Sequence, residues 1–143
     1  MAAFDVVAEL GELQDLGMTR AGHRRIIPVV GGSVTGSFSG TILEGGADWQ
    51  TVRADGSIEI DGRYSAQGDD GTLLYIRAQG VRSGDPTTLD ALLRGETVDP
   101  SAYYFRAALT LECAGRPDLE SALFVASYIR EAHRVIYRAY RVT

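Results

Sequence analysis

Short segments of alternating apolar and polar residues, separated by glycine-rich turns, constrain the fold of this chain most strongly. Residues 57–65 alternate in this way, with Ile58 and Ile60 on one face and charged residues on the other. Such alternation is typical of a β-strand that buries one face. The Asp-Asp-Gly sequence at 69–71 predicts a turn, and residues 73–79 predict the returning strand. Together these segments predict a β-hairpin.

Strand-like segments recur along most of the chain. Further strands are predicted over residues 4–10, 25–30, 34–43, 47–54 and 102–113, and as two strands over 123–142 that join near 131–133. Glycine makes up 17 of the 143 residues. Gly36 and Gly40 fall inside one predicted strand, where glycine often marks a bend that lets a sheet curl.

One segment has a helical pattern. Asp85-Pro86 provides a favourable start, Leu89, Leu92 and Leu93 form an apolar stripe, and Gly95 provides a stop. Short strands at turn-rich spacing predict a sandwich or a closed barrel, and the glycine bends favour the barrel. We therefore expect residues 1–143 to form one all-β domain, a single antiparallel barrel of about eight strands with one short helix at about 86–95. The interior of such a barrel is either filled by side chains or holds one small ligand.

Composition argues against several classes of binding partner and against metal or cofactor chemistry. The net charge is −5 and the arginines are dispersed, which argues against nucleic-acid binding. No apolar run approaches the ~20 residues of a membrane span. Asp5 and Glu9 lie where a signal peptide would be basic or apolar, so we expect a cytoplasmic protein. Cys113 is the single cysteine and no nucleotide motif is present, so no metal and no cofactor is expected.

Charged residues on strand faces are the first candidates for chemistry. Asp61 and Arg63 share one strand face, and Tyr104 and Arg106 share a face of another strand. The opposite faces are more apolar, so one interpretation places these charged residues in water and the apolar faces in the core. The other interpretation is a polar lumen in which arginines pair with carboxylates. The pattern alone leaves both open.

Asp48 is a second candidate, because it follows a glycine-rich turn and precedes Trp49, the single tryptophan. In an apolar environment desolvation would raise the pKa of this carboxyl and suit it to general acid or base catalysis. The alternatives are a hydrogen-bonded turn aspartate and a tryptophan that anchors the core.

Several motifs together resemble a known family. They are Arg25-Ile-Ile-Pro-Val-Val-Gly-Gly32, Gly40-Thr-Ile-Leu-Glu-Gly-Gly-Ala-Asp-Trp-Gln50, Arg53-Ala-Asp-Gly56, Asp61-Gly-Arg-Tyr64 and Asp99-Pro-Ser-Ala-Tyr-Tyr-Phe-Arg106. Over residues 4–143 the chain resembles the bacterial and fungal family called domain of unknown function 3237. The resemblance implies a small antiparallel barrel, similar to the allene oxide cyclase and dirigent barrels. Related barrels bind hydrophobic small molecules in the lumen, and several direct cyclisations or isomerisations without a cofactor.

The resemblance also implies that the motif residues line a pocket. On that basis we expect a cofactor-independent lyase, isomerase or cyclase that acts on a small, partly apolar metabolite. Asp48 or Asp61 would be the general acid or base, and Arg63 and Arg106 would hold a carboxylate, carbonyl or enolate oxygen. The expected substrate-binding residues are Trp49, Arg53, Tyr64 and Tyr104.

Two other functions stay open. The same lumen would serve a lipocalin-like carrier or sensor that binds an apolar ligand without converting it, and a solid interior would indicate a structural domain that only oligomerises. By analogy with related barrels we expect a homo-oligomer.

Overall fold

A computed structural model describes residues 2–143, which form ten β-strands and two short helices. The strands are β1 (Ala2–Leu10), β2 (Gln14–Thr19), β3 (Gly22–Gly36), β4 (Gly40–Ile42), β5 (Gly46–Val52), β6 (Ile58–Gly68), β7 (Leu73–Gly84), β8 (Tyr103–Glu112), β9 (Phe124–Arg130) and β10 (Arg134–Arg141). The helices are α1 (Pro86–Leu93) and α2 (Pro117–Glu120), and a 3₁₀ turn covers Pro100–Ala102.

The strands close into a barrel in which neighbours run antiparallel. From β1 the order is β10, β9, β8, β7 and β6, and β1 also pairs with β3 on its other side. Between β3 and β6, the short strands β4 and β5 together occupy one position, so the wall has eight strand positions. The strand β2 lies outside this ring on the first half of β3. The predicted antiparallel barrel of about eight strands is confirmed.

The boundaries of two predicted strands differ from those in the structure. Residues 25–30 and the first three residues of the strand predicted at 34–43 belong to the fifteen-residue β3, which bends at Gly32, and residues 40–42 form the separate strand β4. Gly32 has φ of 123°, and a Cβ there would lie 1.8 Å from the backbone oxygen of Val7. Only glycine permits this close approach of β1 to β3, and the strand therefore bends without ending. The strand β2 and the one-turn helix α2 are additions to the predicted elements.

Helix α1 matches the predicted helix in place and length. It begins after Asp85, whose carboxylate accepts hydrogen bonds from the backbone N–H and the hydroxyl of Thr87 at 2.9 and 2.7 Å. Leu89 and Leu92 are buried against the barrel, with Leu89 beside the β5–β6 turn at Gly56. Neither helix described within residues 2–143 has the length and apolar character that a bilayer span requires.

The two ends of the barrel differ. At the end where β1 begins and β8 ends, which we call the closed end, apolar side chains fill the interior. Phe4 and Phe124 lie there edge to face with their ring centroids 5.5 Å apart, and Phe38 and Leu119 are buried in the same core. At the opposite end, where β5, β7 and β9 finish, polar side chains enter the interior. We call this the open end.

Candidate functional site

A cavity lies inside the barrel toward the open end. It contains about 500 Å³ of space free of protein atoms, including the part that is continuous with solvent. Most of the lining is apolar, and the polar residues on it are Asp48, Gln50, Tyr64, Arg82, Tyr128 and Arg130.

Strand alternation places each polar group in the lumen. On β5, Asp48 and Gln50 lie two apart, and Gln50 faces Arg25 of β3 directly across the sheet. Arg82 is the last residue of β7 that faces the interior, and Arg130 is the last such residue of β9. Because these positions are close to the strand ends, the charged groups gather at the open end.

Asp48 is the one carboxylate that lines the cavity. Its Oδ1 accepts a hydrogen bond from the backbone N–H of Asp61 at 3.0 Å, and its Oδ2 accepts one from Nε2 of Gln50 at 2.9 Å. Burial raises the pKa of this carboxyl above its usual value, although both hydrogen bonds lower it. A carboxyl with a raised pKa that is reachable from a cavity is suited to proton transfer.

Three arginines accompany Asp48. Arg82 is 2% exposed and Arg25 is 6% exposed, while Arg130 is half-buried. Burial lowers the pKa of Arg82 to about 10, and the positive charges of Arg130 and Arg25 lower it further. Burial is also the main cause of the lowered pKa of Arg25 and of Arg130. The guanidinium of Arg82 lies over the ring of Phe105 at 5.6 Å.

Three tyrosines meet deeper in the barrel. The hydroxyl groups of Tyr64 and Tyr137 are hydrogen-bonded to each other. The ring of Tyr128 stacks on Tyr137 with a centroid distance of 4.3 Å, and on Phe105 at 4.7 Å. Burial raises the pKa of all three phenols, so they are neutral hydrogen-bond donors at ordinary pH.

Two of the predicted site residues, Asp48 and Tyr64, line the lumen. The other six lie on the outer face of the wall: Trp49, Arg53, Asp61, Arg63, Tyr104 and Arg106. The structure does not bring these six side chains into the lumen: five occupy the opposite phase of their strand from the buried residues beside them, and Arg53 follows the end of β5.

The outward residues instead contact one another. Arg63 forms an ion pair with Asp61 at 2.9 Å, and its guanidinium lies 5.9 Å from the ring of Trp49. On β8, Arg106 lies 5.2 Å from the ring of Tyr104, which is 52% exposed. These pairs are solvated side-chain contacts on the barrel surface.

Five polar residues that face the lumen were missed from the sequence: Arg25, Gln50, Arg82, Tyr128 and Arg130. The signal for them is the same alternation. Arg25 lies two residues before buried Ile27, and Arg130 lies two residues after buried Tyr128. Within residues 2–143, no group of three His, Cys, Asp or Glu side chains is placed to hold a metal ion.

Comparison with known proteins places the chain in a family. The model of the family described as protein of unknown function (DUF3237) matches residues 1–142. The chain belongs to the DUF3237 family. A UPF0311 protein of Bradyrhizobium diazoefficiens is 38% identical over 141 residues, which cover 97% of this chain and 93% of that protein. The resemblance inferred from the sequence motifs is confirmed.

Solved structures share the DUF3237 barrel. The crystal structure of a conserved protein of unknown function from Rhodopseudomonas palustris has a TM-score of 0.93 and 37% identity, with 99% of this chain and 95% of that one covered. A Penicillium herquei protein described as an enzyme has a TM-score of 0.68 and 16% identity, with 98% and 92% covered. At 16% identity the likeness shows the fold alone.

Proposed function

We propose that the protein is a cofactor-independent acid–base enzyme, of lyase, isomerase or cyclase type, acting on a small and partly apolar metabolite held in the lumen. The observation that carries this proposal is Asp48, a carboxyl with a raised pKa on the wall of a largely apolar cavity, with arginines nearby. The description of the structurally similar Penicillium herquei protein as an enzyme is in keeping with it.

The chemistry follows from the charges in the lumen. Ionised Asp48 removes a proton from a carbon beside a substrate carbonyl, and the electron pair moves onto the carbonyl oxygen. The resulting enolate accepts hydrogen bonds from the guanidinium of Arg25 or Arg82. Protonated Asp48 then returns its proton to another carbon, which gives an isomer. In a lyase the enolate expels a leaving group from its β-carbon, and the leaving group takes the proton from Asp48. In a cyclase the α-carbon adds to a second carbonyl of the same substrate, whose oxygen takes that proton. Neither route needs an oxidant or a reductant.

This proposal reassigns the roles expected from the sequence. Asp48 keeps its role as acid or base, and Tyr64 keeps a place on the substrate wall. Arg25, Arg82 and Arg130 take the role of oxyanion stabilisers that had been expected of Arg63 and Arg106.

A carrier or sensor is the second candidate, and one observation favours it. Both carboxylate oxygens of Asp48 already accept hydrogen bonds, from Gln50 and from the backbone of Asp61. A carboxylate satisfied in this way also suits a purely structural role, in which the lumen would bind a ligand without changing it.

Incubation in D₂O separates the two candidates. The protein is mixed with a bacterial metabolite extract in D₂O, and the mixture is followed by liquid chromatography and mass spectrometry. Any of the proposed enzymes would convert one compound into another, and an isomerase product would also carry deuterium at carbon when the proton on Asp48 exchanges with solvent before it is returned. A carrier would instead retain one compound unchanged.

Asp48→Asn and Asp61→Asn form the matched pair for this experiment. Both substitutions remove one carboxylate, but Asp48 faces the lumen and Asp61 faces outward. We expect conversion to fall at least ~100-fold in Asp48→Asn, the lower end of what general acid–base catalysis contributes. Asp61→Asn should convert at the wild-type rate. Equal conversion by wild type and Asp48→Asn would contradict the proposed mechanism.

The cytoplasmic location, the lack of nucleic-acid and membrane partners and the homo-oligomer all stay predictions. Light scattering after size-exclusion chromatography tests the homo-oligomer directly.

A further inference from the structure

We infer that the ligand of the lumen is a small organic anion, with a carboxylate seated among Arg25, Arg82 and Arg130 and an apolar body against the barrel wall. The inference deepens the proposed function and rests on it for the claim that this ligand is a substrate. The binding site itself is argued from burial, charge and unpaired hydrogen-bonding groups.

The first argument is the burial of Arg82. This residue is 2% exposed and lines the cavity, and its Nε has no hydrogen-bond acceptor. A buried ion without a partner is costly, by several kcal/mol after relaxation. The carbonyl oxygen Oε1 of Gln50, which is 3% exposed, also lacks a hydrogen-bond donor. The unpartnered Nε of Arg82 requires an acceptor, which a ligand carboxylate provides, whereas Oε1 of Gln50 requires a donor from another part of the ligand.

The second argument is the balance of charge. The charge of Asp48 acts on the three lumen arginines and, from β2, that of Asp15 acts on Arg25, so the group keeps a surplus of one positive charge when both carboxyls are ionised. Among residues 2–143 the ion pairs join other arginines, including Arg63 and Arg138, to surface carboxylates, and none reaches the three lumen arginines. The surplus favours an anion over a neutral ligand.

The third argument is the way the open end is built. Arg130 donates from Nη1 to the backbone oxygens of Glu131 and, at 3.3 Å, of Ala132, in the turn between β9 and β10. The turn thereby holds this guanidinium at the cavity. Ile27, Ile60 and Phe105 line the same cavity and provide an apolar surface beside the charges, with the ring of Phe105 under the guanidinium of Arg82. A carboxylate attached to a flat or aliphatic apolar group matches both halves.

Benzoate and its neutral analogue benzamide are the probes for this inference. They have nearly the same shape and differ in charge. Titration calorimetry on the wild-type protein should give a dissociation constant at least ~10-fold lower for benzoate, since one charge-assisted hydrogen bond contributes ~1.5–3 kcal/mol. Equal affinity for the two probes, or no benzoate binding at millimolar concentration, would overturn the inference.

Arg82→Met and Arg63→Met supply the matched variants. Each removes one guanidinium and keeps an unbranched side chain, in the lumen and on the outer face respectively. We expect Arg82→Met to weaken benzoate binding at least ~10-fold without changing benzamide binding, and Arg63→Met to change neither. Equal weakening of benzoate binding by both variants would show a general charge effect and would contradict the proposed carboxylate site. Arg25→Met, checked for folding by circular dichroism, replaces Arg82→Met if that variant is unfolded.

The outcomes also separate this inference from the proposed function. If benzoate binds through Arg82 but no compound is converted, the carboxylate site among the arginines is supported and the protein is a carrier. If Asp48→Asn abolishes conversion while benzoate and benzamide bind equally, the proposed enzymatic function is supported and the carboxylate site among the arginines is wrong.

Discussion

Asp48 and Asp61 are neighbours that lie on opposite sides of the barrel wall. The backbone N–H of Asp61 donates to the carboxylate of Asp48, while the side chain of Asp61 pairs with Arg63 outside. Burial raises the pKa of Asp48, whereas the hydrogen bond from Arg63 lowers the pKa of Asp61. The pKa values of these two aspartates are therefore shifted in opposite directions, because the two side chains face opposite sides of the sheet.

These opposite shifts predict opposite effects of pH on stability. The ordinary pKa of both carboxyls is 3.8. Asp48, with its raised pKa, contributes stability below that value and loses it as pH rises through the folded pKa. Asp61, with its lowered pKa, contributes stability above 3.8 and loses it as pH falls through the folded pKa.

The two asparagine variants test this prediction. Between pH 3 and pH 7, the stability of Asp48→Asn relative to wild type should rise, and that of Asp61→Asn should fall. The free energy of unfolding in urea measures both differences at each pH. If the two differences change in the same direction, the assignment of Asp48 to the inside and Asp61 to the outside is wrong.

The hydrogen bond between Tyr64 and Tyr137 gives a second prediction at this scale. The residue Tyr137 is 1% exposed. Tyr137→Phe removes its hydroxyl and leaves the hydroxyl of Tyr64 without this hydrogen-bond partner. An unsatisfied buried polar group costs ~1–3 kcal/mol, so unfolding in urea should show a loss in that range. Tyr104→Phe is the control, because Tyr104 is 52% exposed on the outer wall, and its effect should stay within ~0.5 kcal/mol. A Tyr137→Phe variant as stable as wild type would contradict this prediction.

At the scale of strands, the alternation in the sequence predicted most elements and their faces. It placed Ile58, Ile60 and Tyr64 together, and the structure buries all three. The alternation also predicted that Asp61 and Arg63 lie on the opposite face. The expectation that they line the pocket came from the family resemblance.

The missed arginine of β9 shows where the sequence argument fails. Arg130, Arg134 and Arg138 lie four apart, which favours one solvated row on a helix. In the barrel a turn separates Arg130 from the other two, so the alternation starts again on β10. Arg130 faces inward while Arg138 pairs with Asp5 outside. The phase of a strand after a turn depends on the number of turn residues, which spacing along the chain does not reveal.

Glycines on adjacent strands give a third prediction. A Cβ at Gly62 would lie 3.8 Å from its nearest neighbours, whereas a Cβ at Gly80 would lie 2.1 Å from the backbone oxygen of Arg106. Gly62→Ala should keep or raise stability, by up to ~1 kcal/mol, because glycine weakens a strand interior. Gly80→Ala should cost ~1–3 kcal/mol, because β7 and β8 must move apart. Urea unfolding of both variants is the measurement, and equal losses would contradict the packing described.

At the scale of the whole molecule, the barrel divides stability and binding between its ends. The closed end is filled with aromatic and aliphatic side chains. The open end holds buried arginines, an aspartate and a cavity, which cost free energy that the closed end offsets. The fold therefore tolerates a charged lumen because its other half is a conventional apolar core.

Two leucines, one in each half, test this division. Leu109 is fully buried opposite Phe124, whereas Leu10 is partly buried and lines the cavity. Leu109→Ala should cost ~2–5 kcal/mol, since it opens a new void in close-packed surroundings. Leu10→Ala should cost less than ~2 kcal/mol, because that side chain already borders empty space and loses fewer contacts. Urea unfolding measures the loss of stability in both variants, which carry the same Leu→Ala substitution. Equal losses would mean that the lumen is as tightly filled as the closed end, which would leave no room for a ligand.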